Sequence, residues 1–201
     1  MALFILLIKK TNHLIFEKTA DVFNSKGYAA TSLSDITKIT GLTKGSIYGN
    51  FDDKEEVVIA AFKFNAKRLR DSMDAATSKA ETAYEQLMAM LNFYKTTWKK
   101  AASQGGCPML NAATEADDHL LFLRDAVKEN FIAWQKKVST IIEKGKAEGR
   151  FKVHLQTETY AYTFIMLIEG GILLSRTLNQ ITHLNTALDR VKLIIDQEIV
   201  N

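Results

Sequence analysis

The sequence predicts an all-α protein, and three observations support this fold class. Apolar residues recur at helical spacing along most of the chain, a single proline is present, and no strand-and-turn alternation stands out. A chain of 201 residues with 47% hydrophobic content can bury a small and a larger core. We expect an N-terminal domain over residues 1–53 and a larger C-terminal helical domain over residues 54–201.

The first helix is predicted from about Thr11 to Lys26, with Gly27 ending it. The segment before it, MALFILLI, has eight apolar residues, fewer than the about 20 that span a bilayer, and it lacks the features of a signal peptide. We therefore expect no membrane span. Three interpretations stay open: an extension of the first helix, a start-site peculiarity, or a membrane or partner contact. Lys9 and Lys10 could still reach phosphate.

Residues 31–54, TSLSDITKITGLTKGSIYGNFDDK, predict two short helices joined by a glycine turn. Leu33, Ile36 and Ile39 repeat at helical spacing, so one side of the first helix can be buried. Ser32 is expected to cap this helix with Asp35 completing a capping box, and Gly41 suits the left-handed turn that ends it. Thr43 is then expected to cap the second helix.

The second short helix carries groups suited to DNA. A helix in the major groove needs small residues for close approach, hydroxyl or amide groups for base edges, and cations or phenols for phosphates. Gly45, Ser46, Asn50, Lys44 and Tyr48 supply this set. A plain helical hairpin is the alternative interpretation.

After Phe51, Asp52 or Asp53 can cap a long helix that begins near Lys54. Further helices are predicted near residues 80–102, 109–116, 119–148, 156–179 and 184–199. These lengths exceed what a DNA-binding module needs, so the C-terminal domain is expected to have a second function.

Large apolar residues at helical spacing make up a candidate effector pocket, although such a stripe is more often plain core. The candidates are Leu87, Met90, Leu91, Tyr94, Trp98, Cys107, Met109, Phe131, Trp134, Tyr160, Phe164 and Met166.

Pro108 suits the first turn of a helix, which places Cys107 at its cap. A thiol there could be redox-sensitive, but a small buried group at a tight turn is the expected role. Glu115, Asp118 and His119 could form a metal patch, yet a second histidine or cysteine is missing nearby. We expect a solvated helix end, with no metal and no cofactor.

Two apolar stripes near the C-terminus predict a homodimer through a four-helix interface, with packing inside one subunit as the alternative. Gly170 and Gly171 would let a partner helix approach closely. The predicted interface residues are Leu167, Gly170, Gly171, Leu174, Leu178, Leu188, Val191 and Ile195.

Composition and motifs narrow the function further. The excess of 26 basic over 23 acidic residues is small, so polyanion binding would depend on local clustering. One cysteine excludes an intramolecular disulfide and suits a reducing cytoplasm. The sequence lacks a Ser-His-Asp order, a phosphate-binding glycine loop, a CxxC pair and an HExxH helix, so we expect no enzyme.

The stretch GYAATSLSDITKITGLTKGSIYGNFDDKEEVV closely resembles the DNA-binding domain of TetR-family transcriptional regulators, over about residues 12–62. The resemblance implies a homodimeric regulator, usually a repressor, with a homeodomain-like helix-turn-helix head and a C-terminal domain that binds a hydrophobic or amphipathic effector. It implies DNA contacts by Thr31, Ser32, Thr43, Lys44, Gly45, Ser46, Tyr48, Asn50 and Lys54. The apolar N-terminus departs from the polar arm common in this family.

The resemblance leaves other functions open. An all-α small-molecule-binding protein or enzyme could keep a decayed DNA-binding head, and an architectural DNA-binding dimer would need no effector. We expect a double-stranded DNA operator, an effector and a second copy of the chain as partners. Selective binding to a palindrome, with affinity falling steeply with salt, would distinguish the regulator from the first alternative.

Overall fold

A computed structural model describes residues 2–201, with the side chains of residues 11–117 and 119–201. The described residues are helical almost throughout, with one isolated β-bridge between Phe151 and Val200. The helices are α1 (Ala2–Lys26), α2 (Leu33–Thr40), α3 (Lys44–Tyr48), α4 (Lys54–Thr77), α5 (Ala83–Ser103), α6 (Pro108–Asp118), α7 (Arg124–Ala147), α8 (Thr157–Thr177) and α9 (Thr182–Ile194). A 3-10 turn, Leu121–Leu123, precedes α7, and a π turn, Ile195–Ile199, follows α9. The all-α prediction is confirmed.

Packing divides the chain into two units. The N-terminal unit comprises Met1–Arg68 together with Cys107–Glu129, and the C-terminal unit comprises Leu69–Gly106 and Asn130–Asn201. Helix α6 therefore belongs to the same unit as the first helices, although the segment Leu69–Gly106 of the other unit lies between them in the chain. The predicted functional boundary between residues 53 and 54 stays a prediction.

The core of the N-terminal unit is built around three aromatic rings. Phe23 and Tyr28 stack with ring centroids 5.8 Å apart, and Phe62 meets Tyr28 edge-on at 6.3 Å. All three are fully buried, and burial raises the pKa of the Tyr28 phenol far above its usual range. This core fixes the end of α1 against α4, and α2 packs on α1.

Helix α1 begins at Ala2 and thus includes most of the apolar segment MALFILLI. A continuous helix agrees with the first of the three interpretations, in which this segment extends α1. The side chains of Lys9 and Lys10, and those of the apolar segment, lie outside the described residues. Among the residues that were described, the helices lack the combination of length and apolar character that a membrane span requires.

The C-terminal unit buries Leu87, Ile142 and Phe164 from three different helices. Helices α8 and α9 pack closely against each other, and Gly171 makes this possible. A Cβ at Gly171 would lie 2.7 Å from Ala187 Cβ and 3.1 Å from Leu184 Cα, closer than van der Waals contact allows. The packing of α8 on α9 therefore depends on a position without a side chain.

Candidate nucleic-acid interface

Helix α2 begins with the predicted capping box. The Ser32 hydroxyl oxygen accepts from Asp35 N at 3.2 Å, and the Asp35 carboxylate accepts from Ser32 N at 2.8 Å. Lys26 Nζ lies 2.6 Å from the same carboxylate oxygen. The hydrogen bonds from Lys26 and Ser32 hold the pKa of Asp35 well below its usual range. A charged network thus joins the end of α1 to the start of α2.

The turn into α3 also follows the prediction. Gly41 has a φ of +73°, in the left-handed region, and its N–H donates to Thr37 O at 2.9 Å. Thr43 Oγ1 then accepts from Ser46 N at 3.2 Å and caps α3. Ile36 and Ile47 are fully buried, which fixes α2 and α3 on the core of the unit.

The outer side of α3 is polar and open. Thr43, Lys44, Gly45 and Tyr48 are exposed, with Tyr48 47% exposed, and Ser46 is half-buried. A cation, a phenol and a hydroxyl therefore share a short helix whose glycine leaves room for close approach. The structure brings these five predicted residues together on one surface, which we call the α3 surface.

Asn50 and Lys54 were predicted to contact DNA, and both are hydrogen-bonded within the unit. Asn50 Nδ2 donates to Ser46 O at 2.7 Å, so a base contact by this amide requires its side chain to leave α3. Lys54 Nζ donates to Ala29 O at 3.2 Å and is half-buried. Both residues border the α3 surface without belonging to it.

Thr31 differs from its predicted role. Its side chain is fully buried, and its hydroxyl donates to Gly27 O at 2.7 Å. The hydroxyl therefore stabilises the turn after α1 and is not available to DNA. Ser32 is exposed, but its hydroxyl already serves the capping box. This role could not be predicted, because a threonine that stabilises a turn and one that contacts a DNA groove look alike in a sequence.

Sequence reasoning missed two exposed polar residues on α2. Ser34 and Lys38 are four positions apart and lie on the outer side of the helix. Their spacing was a usable signal, since a helix that precedes a recognition helix crosses the DNA backbone and needs phosphate donors.

Glu115 was predicted at a solvated helix end. Instead, its two carboxylate oxygens accept from Tyr28 N at 2.9 Å and from Ala29 N at 2.7 Å. The side chain of Asp118, its predicted neighbour in a metal patch, lies outside the described residues. Cys107 is buried at the N-terminus of α6 without a side-chain capping bond, as expected for a small group at a tight turn.

The candidate effector residues fall into both units. Cys107 and Met109 are buried in the N-terminal unit, and the other predicted residues belong to the C-terminal unit. Met166 is 65% exposed and therefore lies outside any core of this unit. Leu87, Met90, Leu91, Tyr94, Trp134 and Phe164 are buried, while Trp98, Phe131 and Tyr160 are half-buried.

Three of these residues form an aromatic cluster between α5 and α7. The Trp134 ring lies 6.0 Å from the Tyr94 ring and 6.4 Å from the Phe131 ring, centroid to centroid. The buried Trp134 Nε1 has no hydrogen-bond acceptor among the described residues. A buried indole N–H usually finds an acceptor, so this cluster can take a hydrogen-bond acceptor from a bound molecule.

A cavity of about 460 Å³ lies elsewhere in the C-terminal unit. Its lining includes Tyr84 and Asp196, which are joined by a hydrogen bond of 2.9 Å, and also Arg150, Phe151, Val200 and Asn201. None of the predicted effector residues lines this cavity, which is more polar than the aromatic cluster.

The predicted interface residues separate into two groups. Gly171, Leu188, Val191 and Ile195 are buried inside the subunit, so the prediction that they face a partner is corrected. Gly170 and Leu174 are exposed on α8, Leu178 is exposed directly after it, and Leu167 is half-buried. The predicted set thus combined residues buried within the subunit with residues exposed at its surface.

The exposed side of α8 is more apolar than predicted. We define the α8 face as the exposed residues Tyr162, Met166, Gly170, Leu173, Leu174 and Leu178. A surface with four large apolar side chains on one helix and a fifth directly after it is uncommon in a monomer and is typical of an interaction site.

Comparison with known proteins identifies matches over both parts of the chain. The family of bacterial regulatory proteins named tetR matches residues 15–61, which include α2 and α3. The Tetracyclin repressor-like C-terminal domain matches residues 83–191, more than half of the chain.

Individual relatives agree over nearly the full length. The chain is similar to the solved structure of a TetR family transcriptional regulator from Cytophaga hutchinsonii, with 37% identity, a TM-score of 0.87 and 94% of each chain covered. An uncharacterized HTH-type transcriptional regulator of Lactococcus lactis is 26% identical over 92% of this chain and 93% of its own. The HTH-type transcriptional repressor DhaR of a Mycobacterium species is 26% identical, with 80% of this chain and 79% of that protein covered.

Proposed function

Since the chain belongs to the TetR family of helix-turn-helix transcriptional regulators, we propose that it binds a palindromic DNA operator as a homodimer and that a small effector releases it. It is a regulator and not an enzyme. The observation that carries the operator proposal is the α3 surface, which presents Lys44, Ser46 and Tyr48 on a helix capped and buried on its other side.

In this proposal α3 enters the major groove. Ser46 reads base edges, Lys44 and Tyr48 contact phosphates, and Gly45 allows the helix backbone to come near the DNA. Thr43, Ser32 and Lys54 add contacts from the helix ends, and Ser34 and Lys38 add phosphate contacts from α2. Asn50 joins them when its amide leaves Ser46, whereas Thr31 acts through the turn that it stabilises.

The α8 face supports the proposed homodimer. Met166, Leu173 and Leu174 are each about half-exposed or more, and a second copy of the same face would cover them. A two-fold axis through α8 repeats the interface residues on both subunits and gives two α3 surfaces. Two such surfaces bind half-sites about one DNA turn or a multiple of it apart, which makes the operator a palindrome.

The aromatic cluster of Tyr94, Phe131 and Trp134 supports a hydrophobic or amphipathic effector. The unmet N–H of Trp134 favours an effector that carries a hydrogen-bond acceptor. Effector and operator favour different conformations, so each lowers the affinity for the other. Repression is the proposed direction of control, in line with the name of the Mycobacterium relative, a transcriptional repressor. The proposal places the protein in the cytoplasm, where its operator would be.

Selection of duplexes from a random DNA pool tests the operator proposal. We expect a palindrome to be enriched, with binding that weakens steeply as salt rises. A scrambled duplex of equal length is the control. Failure to enrich any sequence would refute the proposal and favour a protein with a decayed head.

Two variants separate base reading from phosphate contacts on the selected duplex. Lys44→Ala should weaken binding to all duplexes and reduce the salt slope by roughly two for the dimer, since each subunit loses one phosphate contact. Ser46→Ala should change the preferred sequence and leave the salt slope unaltered. Identical effects of the two substitutions would contradict these roles.

The effector proposal is tested by screening hydrophobic compounds for release of the selected duplex. A compound with a hydrogen-bond acceptor should release the wild type at lower concentration than it releases Trp134→Phe, which keeps a ring and loses the N–H. A dimer whose duplex no compound releases would be the effector-independent architectural protein.

A further inference from the structure

Helix α6 belongs by packing to the N-terminal unit, with α1 to α3. Asn111 Nδ2, on α6, donates to Asn24 O at 3.1 Å and to Asn24 Oδ1 at 2.9 Å. One turn further along α6, Glu115 reaches the loop that connects α1 to α2. The unit that contains the α3 surface is therefore completed by residues from the second half of the chain.

Glu115 binds this loop with both carboxylate oxygens. Oε1 accepts from Tyr28 N at 2.9 Å, and Oε2 accepts from Ala29 N at 2.7 Å. Hydrogen bonds from a backbone N–H to a carboxylate are stronger than those between neutral groups. Gly27, with a φ of +104°, turns the chain so that the two N–H groups point the same way. A Cβ at Gly27 would lie 3.3 Å from Glu115 Oε1, so the loop and the carboxylate fit closely.

The loop that Glu115 holds is connected to both helices that flank α3. Gly27 O accepts from Thr31 N at 3.1 Å and from Thr31 Oγ1 at 2.7 Å, just before the capping box of α2. Ala29 O accepts from Lys54 Nζ at 3.2 Å, at the first residue of α4. The Glu115 carboxylate thus acts on the peptide unit beside the one that holds Lys54.

We propose that Glu115 is a positioning residue for DNA binding, which rests on the operator function proposed above. Its carboxylate fixes the backbone of Tyr28 and Ala29 and thereby places Lys54 and the start of α2 for contact with DNA. The residue does not touch DNA itself. Because Glu115 lies on α6, the DNA-binding surface depends on a side chain outside the helix-turn-helix sequence.

The test compares Glu115→Gln with a matched control in the full-length protein. Gln keeps the size of the side chain but offers an NH₂ group to one of the two N–H donors, so one hydrogen bond is lost. Glu148 is the control, since its carboxylate also accepts from a backbone N–H, Ala83 N at 3.0 Å, within the C-terminal unit. We expect Glu115→Gln to bind the selected duplex about tenfold more weakly and Glu148→Gln to bind it as the wild type does.

A double-mutant cycle with Lys54→Ala distinguishes positioning from a general loss of folded protein. If Glu115 acts through Ala29 and Lys54, the two substitutions together should cost less affinity than the sum of their separate effects. Additive effects, or equal binding by Glu115→Gln and the wild type, would overturn the proposal.

Amide hydrogen exchange without DNA provides a readout that does not depend on the operator. Tyr28 and Ala29 should exchange faster in Glu115→Gln than in the wild type, while Glu148→Gln should leave them unchanged. If the wild type selects a duplex but the exchange of Tyr28 and Ala29 is unchanged in Glu115→Gln, the role of Glu115 is overturned and the operator function stands. A wild type that selects no duplex would overturn the operator function instead, and the positioning role with it.

Discussion

The two units share the same kinds of interaction but rely on helix caps and on burial to different degrees. In the N-terminal unit, polar caps by Ser32 and Thr43 define the short helices, and carboxylates bind neighbouring backbone N–H groups. In the C-terminal unit, long helices bury Leu87 and Phe164 and meet closely at Gly171. A surface that reads DNA needs exposed side chains, so its helices cannot rely on burial alone. The C-terminal unit can bury more of its apolar side chains, so its stability should be sensitive to changes in side-chain volume.

The largest effect is expected where α8 meets α9 in the C-terminal unit. Gly171→Ala places a Cβ 2.7 Å from Ala187 Cβ and should lower the free energy of unfolding by about 2 kcal/mol. Gly45→Ala, on α3 of the N-terminal unit, is the matched control, because its Cβ would come no closer than 4.0 Å to Thr43 Oγ1 and alanine favours helix. Urea denaturation measures both. Equal stability of the two variants would remove the contrast between the units.

A substitution on the α8 face tests whether a second subunit covers these exposed apolar residues. Met166→Glu should raise the dissociation constant of the dimer about tenfold, equivalent to about 1.4 kcal/mol, because a charge would be buried between subunits. Val153→Glu, at a residue 76% exposed and outside α8, should leave it unchanged. Sedimentation velocity over a concentration series measures both. A monomeric wild type at micromolar concentration would contradict the homodimer.

A smaller effect is expected in the N-terminal unit. Ser32→Ala removes the acceptor for Asp35 N and should destabilise α2 by about 1 kcal/mol. Hydrogen exchange of the α2 amides measures this locally. Ser34→Ala, at an exposed residue of the same helix, should have little effect. If the α2 amides of both variants exchange at the same rate, the Ser32 cap does not stabilise α2. The claim that polar caps stabilise the short helices of this unit would then be wrong.

The smallest effect on stability is expected from lowering the pH. The pKa of Asp35 is lowered in the folded protein by hydrogen bonds from Lys26 and Ser32, so its contribution to stability is present above the unfolded pKa of about 4. This contribution is lost as the pH falls further towards the lowered pKa. Urea midpoints from about pH 6 to about pH 2 should therefore fall less steeply for Asp35→Asn than for the wild type. Parallel curves would show that the carboxylate does not stabilise α2.

The N-terminal unit was the more predictable of the two, and the reason is the range of its interactions. The partners of Ser32, Gly41 and Thr43 lie within four residues along the chain, so residue type and spacing were enough. Glu115 shows the limit, since its partners are 86 and 87 residues away and no local pattern points to them.

In the C-terminal unit the helices were predictable, but the roles of their apolar residues were not. Leu188 and Val191 lie on an apolar stripe, which predicts burial without saying whether the covering helix comes from the same subunit. Gly171 did indicate a close helix approach, and the neighbour is α9 of the same chain. The aromatic residues Tyr94 and Trp134 are buried as expected, and their role in binding an effector stays a prediction.

The ring arrangement around Trp134 has an optical consequence. The chain contains two tryptophans, and both Trp98 and Trp134 belong to the C-terminal unit. Emission excited selectively at the indole band therefore originates from that unit, with Tyr94 and Phe131 as the neighbours of one emitter. A change in tryptophan emission when an effector is titrated would report changes beside α5 and α7. A fluorophore placed on α2 would report the proposed DNA-binding surface separately.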